Sequence, residues 1–486
     1  MPHEAHPHSP AILWFRRDLR LADNPALEKA LSTGAPVICL YIREPNDPHA
    51  GASGAAQAWW LHHSLVALDA ELRARGNRLL LLTGDPRHLI EWLTAKTGAQ
   101  AVFWNRRYDG QGRQTHTEIK AELRKAGIRA ESCSGFLMHD PAVLQTKQGK
   151  RYAVYTPFWK AFSASYEPPS PIAAPKSIPA AGQEIESESL KDWHLLPTKP
   201  DWAKGFADLW QPGQAGAHKC LAEFIANQLQ DYGDQRDFPA TPATSRLSPH
   251  LAFGEISPHA LWRATIGSKS PAGDIERFRK EIVWREFAWH VYFHNPDMAD
   301  TNLDRRFDRF GWKHAPKKLE AWQRGMTGYP IVDAGMRELW HSGTMHNRVR
   351  MIVASFLIKD LLIDWREGER WFRDTLLDAD RASNAFNWQW VAGCGADASP
   401  FFRIFNPIRQ GETFDSKGAY VRRFCPELTD LPDHYIHKPF EAPREVLEEA
   451  GVTLGKTYPH TIVDHAEARD AALAAFRATR QDREDD

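Results

Sequence analysis

Between Ala11 and about Ser134, short apolar runs alternate with segments of helical period. AILWF, PVICLYI, RLLLLTG and AVFWN hold their apolar residues in unbroken runs, without the polar alternation of a strand that faces water on one side. Such runs predict parallel strands buried on both faces, with the periodic segments between them as covering helices. The order predicts a doubly wound, Rossmann-like α/β domain over residues 9–135. Asn24-Pro25 and Asp85-Pro86 mark two of its helix starts, each with a capping oxygen followed by proline at the first helical position.

Past about Gly213 the pattern changes. AHKCLAEFIANQLQDY, DIERFRKEIVWREFAWHVYF, HNRVRMIVASFLIKDLLIDW and REGERWFRDTLL all have helical period, with no comparable series of strands. An all-α domain is therefore expected over residues 213–486. Residues 136–212 read as a connector, because the seven prolines between Glu167 and Pro200 favour extended, weakly structured backbone.

Composition changes this picture little. With 42% hydrophobic and 25% charged residues the chain is an ordinary globular protein. Its formal charge of -1 gives no bulk attraction for nucleic acid, so any such surface must come from local placement of Arg and Lys. The five cysteines are odd in number and widely separated, with no C-x-x-C pair, which points to neither a disulfide framework nor a zinc site and fits a reducing cytoplasm. No metal site is expected. The start, MPHEAHPHSP, lacks a basic region followed by an apolar core and reads as a disordered tail. The longest apolar stretch, Met351 to Ile358, is too short to span a bilayer.

The anomaly is tryptophan: of nineteen, nine fall between residues 284 and 390. A Trp-rich helical core accounts for that number by itself. From Asp364 to Asn406, however, Trp365, Trp371, Trp388 and Trp390 are interleaved with Asp378, Asp380, Arg381, Asn384 and Asn387. Oxidisable rings mixed with groups able to make several hydrogen bonds suit an aromatic wall beside a flavin; only Trp371 is left to the core. Glu281, Trp284 and Arg285 share one helix face at i, i+3 and i+4. Asn347 and Met351 share another, with Arg348 and Arg350 turned away from it. Trp388 and Trp390, two apart, cannot line one face. Hydroxyls and an arginine in TSRLSP are what a pyrophosphate needs, although such clusters also serve as plain helix caps. At the predicted strand ends stand Arg16, Arg17, Asp18, Arg43, Asn105, Arg107, Tyr108 and Asp109, as compatible with solvated loops as with a ligand. GASGAA lacks the G-x-G-x-x-G spacing of a dinucleotide loop.

Taken in order, WFRRDLRLADNPAL, TSRLSP, EIVWREF, AWQRGMTGYPIVDAGMREL, MHNRVRMIVASFLIKDLLIDWREGERWF and NWQWVAGCGADASPFFRIFNP resemble the photolyase/cryptochrome family over nearly the whole chain. The resemblance is greatest to bacterial cyclobutane pyrimidine dimer photolyases, including the group related to plant cryptochromes. It implies an antenna-binding α/β domain and a helical domain holding folded FAD. Position by position, it implies that Tyr232, Thr244, Ser245, Arg246, Leu247 and Ser248 hold the FAD phosphates. Asp378, Asp380 and Asn384 would face the isoalloxazine and ribityl portion, Asn384 near N5, with Arg350 paired to Asp378. Glu281, Trp284, Asn347, Arg348, Met351 and Trp390 would form the pocket for a flipped-out dimer in UV-damaged DNA, with Glu281 a protonated donor in an apolar pocket. Trp388, Trp365 and Trp312 would carry electrons inward from the surface. Asn105, Tyr108 and Asp109 would meet the antenna, 5,10-methenyltetrahydrofolate as first choice and 8-hydroxy-5-deazaflavin as the alternative.

The implied activity is that of a carbon-carbon lyase, a cytoplasmic monomer that repairs the dimer with light. Asn347 stands where six-four photolyases carry a His pair. Asn384 stands where plant cryptochromes carry Asp and animal ones commonly Cys, and little sequence remains past residue 480 for a signalling tail. The rival reading is a cryptochrome-type blue-light photoreceptor without repair. Two departures stand out: Asn387 replaces a small Gly of many bacterial photolyases, and Asp109 replaces the Glu common in folate binders.

Overall fold

The structure is a computed structural model that describes residues 9–47, 50–52, 54–398 and 402–481. The histidine-bearing start, read as a disordered tail, lies mostly outside the described residues. The four apolar runs form strands β1 (Ala11–Phe15), β2 (Val37–Arg43), β3 (Leu79–Thr83) and β4 (Ala101–Asn105). A fifth strand, β5 (Arg129–Cys133), is added at one edge. Its RAESC sequence has no apolar run because an edge strand is only partly covered, which is why periodicity misses it. All pairings are parallel, in the order β3-β2-β1-β4-β5. The order reverses between β1 and β4, so their carboxyl ends open a crevice of the kind that binds ligands in open α/β sheets. Asn24 and Asp85 cap their helices by accepting from the Leu27 and Arg87 N–H groups, as their sequence context predicts.

The stretch 136–212 is more structured than a proline-rich connector. It includes the helix Tyr155–Ser165, whose Tyr155, Phe158 and Phe162 pack into the same core as Phe224, Phe278 and Phe287. Its later part runs against the α/β domain, where Pro179 accepts from the Val37 N–H and the Ile178 N–H donates to Arg75.

Beyond it the chain is helical. The site is built on the helices Ala272–His294, Asn347–Ser355, Trp365–Thr375 and Arg381–Ala392. The segment that reads as one helix from residue 346 to 365 is in fact broken. Asn347–Ser355 passes into a π-helical turn, Phe356–Asp360, and Leu362 then takes a left-handed backbone, φ 54°, before Asp364 caps the next helix.

Candidate functional site

A cavity of about 520 Å³ lies in the helical domain. Glu281 and Trp284 reach it from Ala272–His294, and Asn347, Arg348, Arg350 and Met351 from Asn347–Ser355. Asp378, Asp380, Asn384, Trp388 and Trp390 come from Arg381–Ala392 and the loop before it. Tyr232, Ser245, Leu247 and Ser248 close another side. The structure thus brings together residues more than 150 positions apart.

Several local expectations change. Thr244 is exposed and does not line the cavity, and Arg246 turns outward, its guanidinium 4.3 Å from the Trp210 ring centroid and donating to the Leu209 carbonyl at 2.8 Å. Arg348 and Arg350 share the cavity wall with Asn347 and Met351, because long side chains reach around a helix where Cβ spacing points away. Trp388 and Trp390 also meet the same cavity, which is wide enough to take both sides of their helix. Glu281 is not in an apolar pocket: it forms an ion pair with Arg236, and its side chain is 33% exposed. Burial by itself would lower the Arg236 guanidinium, but Tyr232 and Glu281 beside it hold it above the ordinary range.

The polar wall is preorganised. Arg350 Nη2 donates to Asp378 Oδ2 at 2.9 Å, while Asp378 Oδ1, also buried, has no hydrogen-bond partner among the described residues. Asp380 caps its helix by accepting from the Ser383 N–H and takes a second bond from Trp289 Nε1 at 2.9 Å. Asn384 donates through Nδ2 to the carbonyl and carboxylate of Glu369, at 3.1 and 3.0 Å, which leaves its amide oxygen as an acceptor. Burial raises the Glu369 carboxyl above its usual range. Sequence reasoning misses Glu369: it belongs to another helix, and no local spacing ties it to Asn384.

Trp388 is buried and seated over Gly368, where an added Cβ would stand 2.1 Å from its Cη2. Three residues before that glycine on the same helix is Trp365, fully buried, its Nε1 donating to Asn302 at 2.9 Å. Trp312, half-buried, packs against the same hydrophobic cluster. Of the three expected electron carriers, Trp388 thus borders the cavity, Trp365 is fully buried and Trp312 is partly exposed. Trp371, left to the core by its sequence context, is half-buried against the same hydrophobic cluster and stacks on Trp340, with centroids 6.0 Å apart and planes at 8°.

In the α/β domain the antenna candidates are engaged with their own neighbours. Asn105 donates to Asp18 and Asn24, the Tyr108 and Ser134 hydroxyls are 3.2 Å apart, and Asp109 accepts from Arg107 and the Gly112 N–H. The cavity they border measures about 30 Å³, the scale of ordered water rather than of a pterin or deazaflavin.

Residues 278–478 match the family model described as the FAD binding domain of DNA photolyase, and residues 11–176 match the model described as DNA photolyase. The deoxyribodipyrimidine photo-lyase of Agrobacterium fabrum is 60% identical over 97% of this chain and 98% of that protein. The chain belongs to the photolyase/cryptochrome family. The crystal structure of a bacterial class III photolyase from Agrobacterium tumefaciens superimposes with a TM-score of 0.96 at 59% identity, covering 99% of both chains. Cryptochrome-1 of Arabidopsis thaliana is 37% identical over 94% of this chain and 69% of that protein.

The photolyase FAD-binding domain lies where this cavity is, and the cavity fits a flavin nucleotide. Phe386, Leu376 and Trp388 offer apolar wall for a ring system; Ser245, Ser248 and Arg350 offer donors; and the unpartnered Asp378 Oδ1 offers an acceptor.

Proposed function

We propose that this chain is a DNA photolyase that uses light to restore cyclobutane pyrimidine dimers to pyrimidines. FAD, when bound, reduced and excited, would supply the electron that splits the dimer's two carbon-carbon bonds and would take it back afterwards. The chain's own residues hold, orient and shield. Tyr232, Ser245, Leu247 and Ser248 would hold the phosphates, and Asp378, with Arg350, Asp380 and Asn384, would hold the ring and ribityl portion. Asp378 Oδ1 accepts, and Asn384, fixed by Glu369, presents its amide oxygen.

Trp284 and Trp390 are both half-buried, on different helices, at the same cavity. They would stack on the two linked pyrimidines of a dimer flipped out of the duplex, each contact worth about 1–3 kcal/mol against an unstacking cost of a few kcal/mol. The Arg236–Glu281 pair and Asn347 supply polar contacts to pyrimidine edges, Met351 fills between them, and Arg348 supplies positive charge. Trp388, Trp365 and Trp312 form the route by which electrons reach the cavity from outside.

The observation that carries this reading is one cavity shared by a flavin-type polar wall and two available indoles. It predicts that purified protein with reduced flavin restores thymine dimers in an oligonucleotide under blue or near-ultraviolet light and not in darkness. Flavin-loaded, reduced protein that leaves the dimers intact under light would overturn the photolyase reading.

A further inference from the structure

Trp284 and Trp390 stand on separate helices, Ala272–His294 and Arg381–Ala392, yet they are tied to each other by a third element. Tyr155, the first residue of Tyr155–Ser165, lies flat on the Trp284 indole with ring centroids 3.5 Å apart and planes at 7°. Its hydroxyl donates to the Lys280 carbonyl at 2.7 Å. That carbonyl is four residues before Trp284, so the helix already pairs it with the Trp284 N–H. One side chain therefore holds both the ring and the helical turn that carries it. Tyr155 is 6% exposed, and burial holds its phenol protonated as the donor.

The backbone of the same residue reaches the other indole. The Tyr155 N–H donates to Asp397 Oδ2 at 3.3 Å, and the Asp397 carbonyl accepts from Trp390 Nε1 at 3.0 Å. Asp397 has a left-handed backbone, φ 54°, which a non-glycine residue adopts at some cost. This conformation puts its side chain on Tyr155 while its own carbonyl meets Trp390.

We infer that Tyr155 and Asp397 are positioning residues that hold the Trp284 and Trp390 indoles at a set separation before DNA arrives. The inference rests on the reading of this cavity as the lesion site. Tyr155 covers one face of Trp284 and leaves the indole its cavity side. Because the clamp already orders the rings, less rotamer entropy remains to be lost when a lesion enters.

The test is lesion binding in darkness by the full-length, FAD-loaded protein, using a thymine-dimer oligonucleotide and its undamaged twin. Tyr155→Leu should weaken lesion binding roughly tenfold, with undamaged-DNA affinity, flavin content and repair yield of the bound lesion unchanged. Tyr155→Phe, which keeps the ring, should recover most of the loss; Asp397→Gly, which removes the carboxylate that accepts from the Tyr155 N–H and suits the left-handed backbone, should also weaken binding of the lesion alone, and it serves as the test should the leucine variant fail to fold. Combined with Trp284→Ala, Tyr155→Leu should add little, since it acts through that indole. Wild-type lesion affinity in Tyr155→Leu, equal losses on both DNAs, or full additivity with Trp284→Ala would overturn the clamp and leave the photolyase reading standing. If the wild-type protein does not itself prefer the lesion, the photolyase reading falls, and the clamp with it.

Discussion

Individual side chains at this site take their roles from what they touch rather than from their type. Asp378 and Asp380 are two residues apart, yet one pairs with Arg350 and keeps a free oxygen while the other caps a helix and receives Trp289. Glu281 illustrates the converse, since its helix face suggests an apolar neighbourhood and tertiary packing supplies Arg236. Trp388 is the tryptophan that both borders the cavity and packs beside Trp365's helix. Trp388→Phe should therefore reduce photoreduction of oxidised flavin to near background, followed by absorbance under blue light with an external thiol donor. Repair by chemically pre-reduced enzyme should be retained, because Trp284 and Trp390 remain in place. Equal loss of both activities would contradict the separate roles.

At the scale of elements, close approach between Trp365–Thr375 and Arg381–Ala392 decides where both Trp388 and Asn384 stand. Gly368 permits that approach, and Glu369, next in sequence, takes the Asn384 amide. Gly368→Ala would raise intrinsic helix propensity, but its methyl group would overlap the Trp388 ring. The overlap should prevail, because overpacking a filled core costs about 1–3 kcal/mol against a propensity gain of about 1 kcal/mol. The variant should show a lower thermal midpoint and slower photoreduction. A more stable protein with unchanged photoreduction would show that the two helices can separate freely.

For the whole molecule, one buried group stands apart from the proposed chemistry. Lys359 is fully buried in the π-helical turn, and burial lowers its ammonium from the usual 10.5 to about 7. A base whose folded pKa is depressed binds its proton more readily in the unfolded chain. Its destabilising contribution is thus full below pH 7 and is relieved as pH rises from about 7 towards 10.5. Lys359→Met should stabilise the protein at neutral pH, with the largest gain below pH 7, and flatten the wild-type rise above it, read as the difference in urea midpoints at pH 6.5 and 9.5. A variant less stable than wild type at both pH values would show that the Phe402 ring, its centroid 3.4 Å from Lys359 Nζ, and the Arg403 carbonyl offset the cost of burying the ammonium.

The apolar runs of β1 to β4, the capped helix starts and the change to helical period past Gly213 were legible in the sequence, because burial on both faces and 3.6-residue periodicity are local signals. Most candidate residues were also legible, through the long ordered resemblance to a known family. The edge strand β5 and the π-helical turn were not, since neither needs a distinctive local pattern. Nor were the partners: Glu369 for Asn384, Arg236 for Glu281, and Tyr155 with Asp397 for the two indoles. Those pairings join segments from 15 to more than 200 residues apart. Which side chains meet across such distances depends on how helices pack, so tertiary structure alone decided the orientation of the cavity wall.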